Sequence, residues 1–596
     1  MKPYALDPMP STAEARELAE TGRWFVPQWK MLPLSPSRCL VRNPLNDASA
    51  ELSSGEFAIL SSCEGCLTLS EHEARAARRL SAPPAHRPAF RELLERCARG
   101  GLLVSLAALT ARFGAGSVTT PQPLGAIAVR TADRPKLLAR LLSSAEALQS
   151  RTGNAYRWIV FDDSRDAQSE RANRAAIDAA RQLDVAHYDR AAAGITEGML
   201  LAQFRGAARE IEWLLAPGGT EATYGRPLNH ALLHLAGSAF LVLDDDVVVE
   251  PRLPPFAERG FAVTDALDEL TWYPDEETLL RHCAPAPLDP FAEHARWIGL
   301  PMAQAWAHAQ ERHGDVAAVD FRAEHAGRFS ADARIVFTHG HSLGDPGSTV
   351  LPLQLLSLPQ RSRQWLAANA DAAGYAFGAR INWRGQTRLR LAPKRLLTLT
   401  TVAGIDNSRL MPPAARSHRS EDLLLGALAQ WIHPHAWQID LPFGLPHLRE
   451  PPKRWLGPRE NPTAEPLPFL LEYLEERAAI FAGEEPEQRM LVASVLFADL
   501  ARASDATLSE MLREHAAKAA STVLFSIREQ LDDATLPASW RTALASWLES
   551  PAFALDERSL GARAPGPAVI RSLAESFAGA LAVWPRLWNY CRDRNR

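Results

Sequence analysis

The sequence predicts an α/β fold on a mostly parallel sheet, with a small N-terminal helical module before it and an all-helical segment after it. Three observations carry this. Between about 119 and 455, short apolar runs alternate with amphipathic stretches of helical length, the pattern of βαβ units. Polar residues close those runs, at Arg130, Thr131 and Asp133, at Asp162 and Asp163, and at Asp244, Asp245 and Asp246. From Phe469 onward, Leu470, Leu471, Leu474, Ala478 and Phe481 recur at helical spacing.

Composition bounds the function classes. A chain of 596 residues has room for about three or four domains. The expected divisions are 1–118, 119–455 with an insertion at 254–330, and 456–596. Hydrophobic content of 46% and charged content of 23% are ordinary for a globular protein. A net charge of −5 argues against a general nucleic-acid binder. No apolar signal region follows Met1, and no apolar run approaches the ~18 residues that span a bilayer. Six cysteines in so long a chain give no disulfide framework, so a reducing cytoplasm is expected.

Residues 1–118 read as a separate module. After a Pro-rich entry, CLVRNPL reads as a strand. Two short helices then flank the turn at Glu64-Gly65, and FRELLERCAR forms a third that stops at Gly100-Gly101. Such elements closing on Leu-Leu-Val suggest a small winged-helix module. Cys63 and Cys66 form a lone C-x-x-C, while Cys39 and Cys97 stand apart, so buried thiols are expected rather than zinc ligands. The stretch Leu52–Leu60, the Cys63-Glu64-Gly65 turn, Leu69–Glu71 and the ending at Leu103 resemble the PqqD-like domains of modified-peptide biosynthesis. The resemblance implies a precursor peptide bound as an added strand at a sheet edge. The other reading is an accessory domain that only packs on its neighbour.

After the polar linker GSVTTPQP come a strand at Ala126–Val129 and a helix carrying Leu137, Leu138, Leu141 and Leu142 on one face. YRWIVFDD is a second strand, ANRAAIDAARQL a helix and DVAHYDR a third strand. The segment Gly225–Pro251 then reads as a helix, a stop at Gly237, a buried strand over Ala239–Leu243, and three aspartates. Carboxylates at the end of a buried strand resist desolvation unless a positive group meets them. Ligands also bind at the carboxyl edge of such sheets. Asp244 and Asp246 are spaced to share one hard divalent cation with phosphate oxygens. The competing reading is a solvated acidic turn.

The pieces AVRTADRP, VFDDS, Gly225-Arg226-x-x-Asn229, LVLDDDV and RSEDLLLGAL, in that order over about 122–450, resemble the GT-A fold of family 2 glycosyltransferases. The resemblance implies an inverting transferase that takes a sugar from a nucleotide donor, with UDP-sugars favoured. It places Asp162 on the nucleotide base and Arg130 and Thr131 near the nucleotide. Asp244 and Asp246, as the D-x-D, fall on the ribose and on Mg²⁺ or Mn²⁺ at the diphosphate. The first loop lacks the usual aromatic or Asn, and the 254–330 insertion departs from the pattern on the acceptor side.

Ser420-Glu421-Asp422 opens a helix, where acidic residues favour the N-terminal dipole. The functional reading makes Asp422, beside Glu421, the general base that takes the acceptor's proton. His447 reads either as a further metal ligand or as a structural histidine. Gly340-His341-Ser342-Leu343-Gly344 matches the G-x-S-x-G of serine hydrolases, but Pro346-Gly347 cannot readily continue as the required helix. A glycine-rich loop near the acceptor or diphosphate is the expectation there. The segment LLTLTTVAG reads as a strand, PPKRWLGPRENPTAEPLP as a linker, and 456–596 as helices that pack on the catalytic domain, shape the acceptor cleft or form a homodimer. The acceptor expected is a Ser, Thr or Cys of a ribosomally made peptide. The alternatives are a polysaccharide or lipid-linked glycan, or a non-catalytic peptide-binding scaffold.

Overall fold

The computed structural model describes residues 22–114, 123–218, 222–345, 355–378, 381–394, 400–449, 465–478, 483–550 and 554–595. The linkers at GSVTTPQP and PPKRW, the first four residues of the expected LLTLTTVAG strand, and Pro346-Gly347 lie outside these residues, while the end of LLTLTTVAG does form a strand, Val402–Ile405. The protein is mixed α/β and divides into two compact units. One comprises 1–119 with 260–266 and 301–334, so part of the 254–330 insertion belongs to it. The other holds everything else, including the C-terminal helices.

The larger unit is built on a sheet. Its strands run Leu389–Ala392, Ala436–His447, Arg334–Gly344, Val402–Ile405, Phe240–Asp244, Ala126–Thr131, Arg157–Asp162 and Asp184–Tyr188. The last four are parallel. Their central residues, such as Ile127, Val129, Ile159, Val160, Leu241 and Val242, are buried on both faces, which is why the sequence shows runs rather than alternation. Helices Pro135–Thr152, Ala167–Ala179 and Arg226–His234 supply the covers. Gly237, at φ 93°, makes the stop after the last of these that only glycine adopts without strain. Val402–Ile405 then pairs antiparallel to Phe240–Leu243, and Arg334–Gly344 antiparallel to Val402–Ile405.

The 456–596 helices share a core with this sheet. Trp584, Trp588 and Phe577 of the last helix join Phe240, Val242, Leu228 and Leu232 in one apolar cluster. The indole N–H of Trp588 donates to Asn407 Oδ1 at 2.9 Å, and that of Trp584 to the Met411 carbonyl at 2.6 Å. Asn407 in turn donates to the carbonyls of Leu232 and Leu235, which are the end of the Arg226–His234 helix. Burying these two indoles with both N–H groups satisfied secures that loop, since each large aromatic contributes about 1.5–3 kcal/mol on burial. Among the described residues no helix is long and apolar enough to cross a membrane.

In the smaller unit the three expected helices form, at Ser54–Ser61, Leu69–Arg79 and Arg87–Arg99, and Arg38–Arg42 is the expected strand, while the strands Arg23–Phe25, Lys30–Ser35 and Ser49–Ser53 were not expected. Helices Ser54–Ser61 and Leu69–Arg79 each start in a complete capping box, Ser53 with Glu56 and Thr68 with Glu71. Such caps are worth about 1 kcal/mol each. A three-stranded antiparallel sheet orders Lys30–Ser35, Arg38–Arg42 and Ser49–Ser53, with Lys30–Ser35 at its edge. Cys39, Cys63, Cys66 and Cys97 are all buried free thiols. Burial pushes the thiols of Cys63 and Cys66 up to about 12, which makes them inert core residues at neutral pH. Phe25 stacks on Phe321 at 4.9 Å and Phe113 on Phe329 at 5.1 Å, so the insertion segment completes this unit's core.

Candidate active site at the carboxyl edge of the parallel strands

The parallel register decides which side chains meet. Asp244 lies beside Arg130, and Thr131 beside Asp162. The chain turns immediately after Asp244, which drives Asp245 and Asp246 into the interior, at 0% and 2% exposure. Two buried carboxylates would be prohibitive alone. Arg134 meets both, its Nη1 lying 3.0 Å from Asp245 Oδ1 and 3.1 Å from Asp246 Oδ2. The Thr131 hydroxyl donates to Asp245 Oδ2 at 2.7 Å, and Arg449 Nε lies 3.3 Å from Asp246 Oδ2. Burial pushes the Asp245 carboxyl up to about 7 against the pull of Arg134. At Asp246 burial loses instead, and His447, Arg134 and Arg449 hold the carboxyl well below the usual range.

His447 arrives from the last residue of a long strand. A backbone bridge joins it to Val247, and Leu448 N–H donates to the Asp246 carbonyl at 3.0 Å. Its Nε2 lies 2.8 Å from Asp246 Oδ1, while Nδ1 is 2.5 Å from the Asp345 carbonyl. Asp244, Asp246 and His447 each bring one ligand atom within 4.8 Å of the others. Asp245 Oδ1 and Asp246 Oδ1 are sealed from solvent and are met by Arg134 and His447 respectively. Two carboxylate oxygens and an imidazole nitrogen suit a divalent ion such as Mn²⁺ or Mg²⁺, with positions left for phosphate oxygens.

The carboxyl pair reaches the same edge on strained backbone. His418 and Ser420, neither a glycine, sit at φ 73° and 75°. Such conformations cost about 1–3 kcal/mol each and need support from their surroundings. Ser420 precedes the helix without capping it, so a conventional cap does not explain the turn. Glu421 Oε1 then lies 3.9 Å from Arg130 Nη1, and Asp422 Oδ1 accepts from Leu423 N–H at 2.9 Å. Burial raises both carboxyls above their ordinary range, the neighbouring acid adds to this at Glu421, and Arg130 opposes it.

Gly225, Arg226 and Asn229 hold the loop that leads to this pair. A Cβ on Gly225 would lie 2.0 Å from the Ala415 carbonyl oxygen. The Gly225 N–H donates to the Arg416 carbonyl at 3.1 Å. The Asn229 side chain both donates to the Ala414 carbonyl at 3.0 Å and accepts from its N–H at 2.8 Å. Arg226 pairs with Asp163 at 2.5 Å. These three residues, with Asp163, are buried and act on the protein's own backbone.

Asp162 is likewise saturated. Its Oδ1 accepts from Ser164 N–H at 2.9 Å, and its Oδ2 lies 3.0 Å from both Asn173 Nδ2 and His187 Nε2. Asp133, at φ 56°, donates its N–H to the Ser164 hydroxyl oxygen at 2.9 Å and pairs with Arg165. The Asp162 group therefore shapes the first two loops, and Asp244, Asp246, His447, Glu421 and Asp422 form the convergent set.

Ser342 is placed differently from the expectation. The Gly340–Gly344 stretch is no loop but the end of the strand Arg334–Gly344, with Ser342 opposite Arg384 in register. An elbow cannot form inside a hydrogen-bonded strand. The alternation instead buries His339 and His341 in a polar network. Asp268 pairs with Arg384 at 2.9 Å and Arg390 at 3.0 Å, Arg390 with Asp440, and His339 Nδ1 lies 3.5 Å from Asp440.

Sequence reasoning missed Arg134, Arg449 and His187, as well as Arg140, which donates to the Asp246 and Leu448 carbonyls, and Thr400, whose hydroxyl accepts from Arg130. The signal for Arg134 was present, since buried aspartates demand a cation and the first loop offers one. Partners more than a hundred residues apart, such as Arg449, leave no local trace. No family model, curated protein or solved structure matches this chain.

Proposed function

We propose that this protein is an inverting, metal-dependent glycosyltransferase with a nucleotide-sugar donor, UDP being the favoured nucleotide. The observation that carries this is the convergence of Asp244, Asp246 and His447 within 4.8 Å, with Glu421 and Asp422 facing the same strand edge across Arg130. Asp244, Asp246 and His447 would hold Mg²⁺ or Mn²⁺, which offsets the charge that builds on a diphosphate leaving group. Asp422 takes the proton from the acceptor hydroxyl or thiol as the new bond forms at the sugar carbon. Its raised carboxyl, close to the working pH, suits a general base. Arg134 and Arg449, already among the aspartates, place positive charge where a diphosphate would lie.

A peptide acceptor is supported by the smaller unit. Every residue of Lys30–Ser35 is exposed, including Met31 at 47%, Leu32 at 59% and Leu34 at 51%. Its only described strand partner is Arg38–Arg42. A bare edge with outward apolar side chains is what an added peptide strand requires.

The test is UDP release from a panel of UDP-sugars with Mn²⁺, measured with Ser-, Thr- and Cys-containing peptides and with glycan acceptors. Acceptor-stimulated release that Asp422→Asn abolishes supports the reading. Release stimulated by glycans alone moves the acceptor to the polysaccharide class. No release with any donor leaves the scaffold reading.

A further inference from the structure

Arg130 touches both halves of the site. Its Nη2 donates to Asp244 Oδ1 at 2.6 Å and to the Thr400 hydroxyl at 2.7 Å. Its Nη1 lies 3.9 Å from Glu421 Oε1, too far for a hydrogen bond. Its Nε is sealed from solvent with no acceptor. Nε is thus the donor closed to water, in a side chain that is only 13% exposed. A buried guanidinium with unused N–H groups has a strong reason to take a better partner when one is offered.

We propose that Arg130 is a positioning residue that couples the cation end of the site to the carboxyl pair. Arg130 would lose its hold on Asp244 to a divalent ion bound by that carboxylate, and its guanidinium would then turn to Glu421. This rests on the metal–diphosphate reading of the site and adds an order to it. The donor, by displacing Arg130, brings the pair into its charged form, so proton acceptance by Asp422 follows donor binding. The charged groups facing the pair are Arg130 and Asp244, from the strands Ala126–Thr131 and Phe240–Asp244. Closer approach of Arg130 favours ionised carboxyls, which are raised by burial, with Asp422 adding at Glu421 and Asp244 adding at Asp422. Protons therefore leave the pair as the donor binds.

The experiment is calorimetric titration of UDP with Mn²⁺ at pH 7 in buffers of different ionisation enthalpy, which counts protons released per binding event. Wild type is compared with Arg130→Lys, Arg130→Gln and Glu421→Gln, and melting curves check that each variant is folded. We expect wild type to release more protons than Glu421→Gln. Arg130→Gln should bind with release reduced to the Glu421→Gln level, and Arg130→Lys should restore part of it. Equal release by wild type, Arg130→Gln and Glu421→Gln, with binding intact, overturns the coupling and leaves the donor site standing. Absence of Mn²⁺-dependent UDP binding by wild type overturns the site reading and the coupling with it.

Discussion

His447 donates Nδ1–H to the Asp345 carbonyl and turns Nε2 onto Asp246, 2.8 Å away. The carbonyl fixes one proton on Nδ1; burial opposes a charged ring, but Asp246 raises the imidazole and draws a second proton to Nε2, the nitrogen that would give up its proton to a metal. The same arrangement orients metal-binding histidines generally. His447→Gln keeps bulk and removes the aromatic nitrogen. Its Mn²⁺ affinity, read by electron paramagnetic resonance titration, should fall by at least the ~10–100-fold typical of disturbing a ligand's support. An unchanged affinity would make His447 a structural residue.

Asp422→Asn should bind UDP and Mn²⁺ as wild type does while losing turnover by about 10²–10⁴-fold. The reason is that Asp422 accepts from Leu423 N–H and senses Arg130 and Asp244 only through their charge, with no hydrogen bond or ion pair to Asp244, Asp246 or His447 among the described residues. Equal loss of binding and turnover would instead place Asp422 in donor binding.

Gly225→Ala puts a methyl into the Ala415 carbonyl and displaces the loop that carries His418, Ser420 and the carboxyl pair. Overpacking of this kind costs about 1–3 kcal/mol. The variant should melt several degrees lower and lose turnover more than it loses UDP affinity, because the residues proposed to hold the donor, Asp244, Asp246 and His447, lie on other segments.

The pH dependence of stability follows from the raised carboxyls of Glu421 and Asp422. A carboxyl whose value is raised on folding binds more protons in the native state than in the unfolded one. Stability is then lost as pH rises from the ordinary value of about 4 through the raised folded value. Glu421→Gln does not titrate in that window. Its melting temperature should gain on wild type between pH 5 and pH 8, and a constant difference would show that Glu421 carries no shift.

Much of the fold was legible because the decisive signals are local. Ala126–Thr131, Arg157–Asp162 and Phe240–Asp244 announce themselves as apolar runs closed by polar residues, and Gly237 stops the preceding helix where its sequence suggests. Asp244, Asp246, Glu421, Asp422 and His447 were all named from sequence. Their neutralising partners were not, since Arg449 reaches Asp246 across two hundred residues and Thr400 meets Arg130 across 270. The Gly340–Gly344 reading failed for a related reason. Two glycines around His341 suggest a loop, whereas the strand needs them because its neighbours press close: a Cβ on Gly340 would lie 2.9 Å from Val402. Asp162, Arg226 and Asn229 share the motif spacing of ligand residues, yet their side chains are spent on the protein's own loops.

The edge strand gives a prediction independent of the site. Leu32→Asp places a charge on the exposed face of Lys30–Ser35, which defends an edge against pairing. UDP binding with Mn²⁺ should stay unchanged, and modification of a peptide acceptor should fall. Undiminished peptide modification would remove this strand from acceptor recognition.

The most direct measurement is calorimetric titration of the full chain with UDP in the presence and absence of Mn²⁺, with Asp246→Ala alongside. Asp246 is the residue on which Arg134, Arg449 and His447 all converge. The account requires binding that depends on Mn²⁺ and is lost in the variant. Failure of the wild type to bind any nucleoside diphosphate, or equal binding by Asp246→Ala, would contradict it.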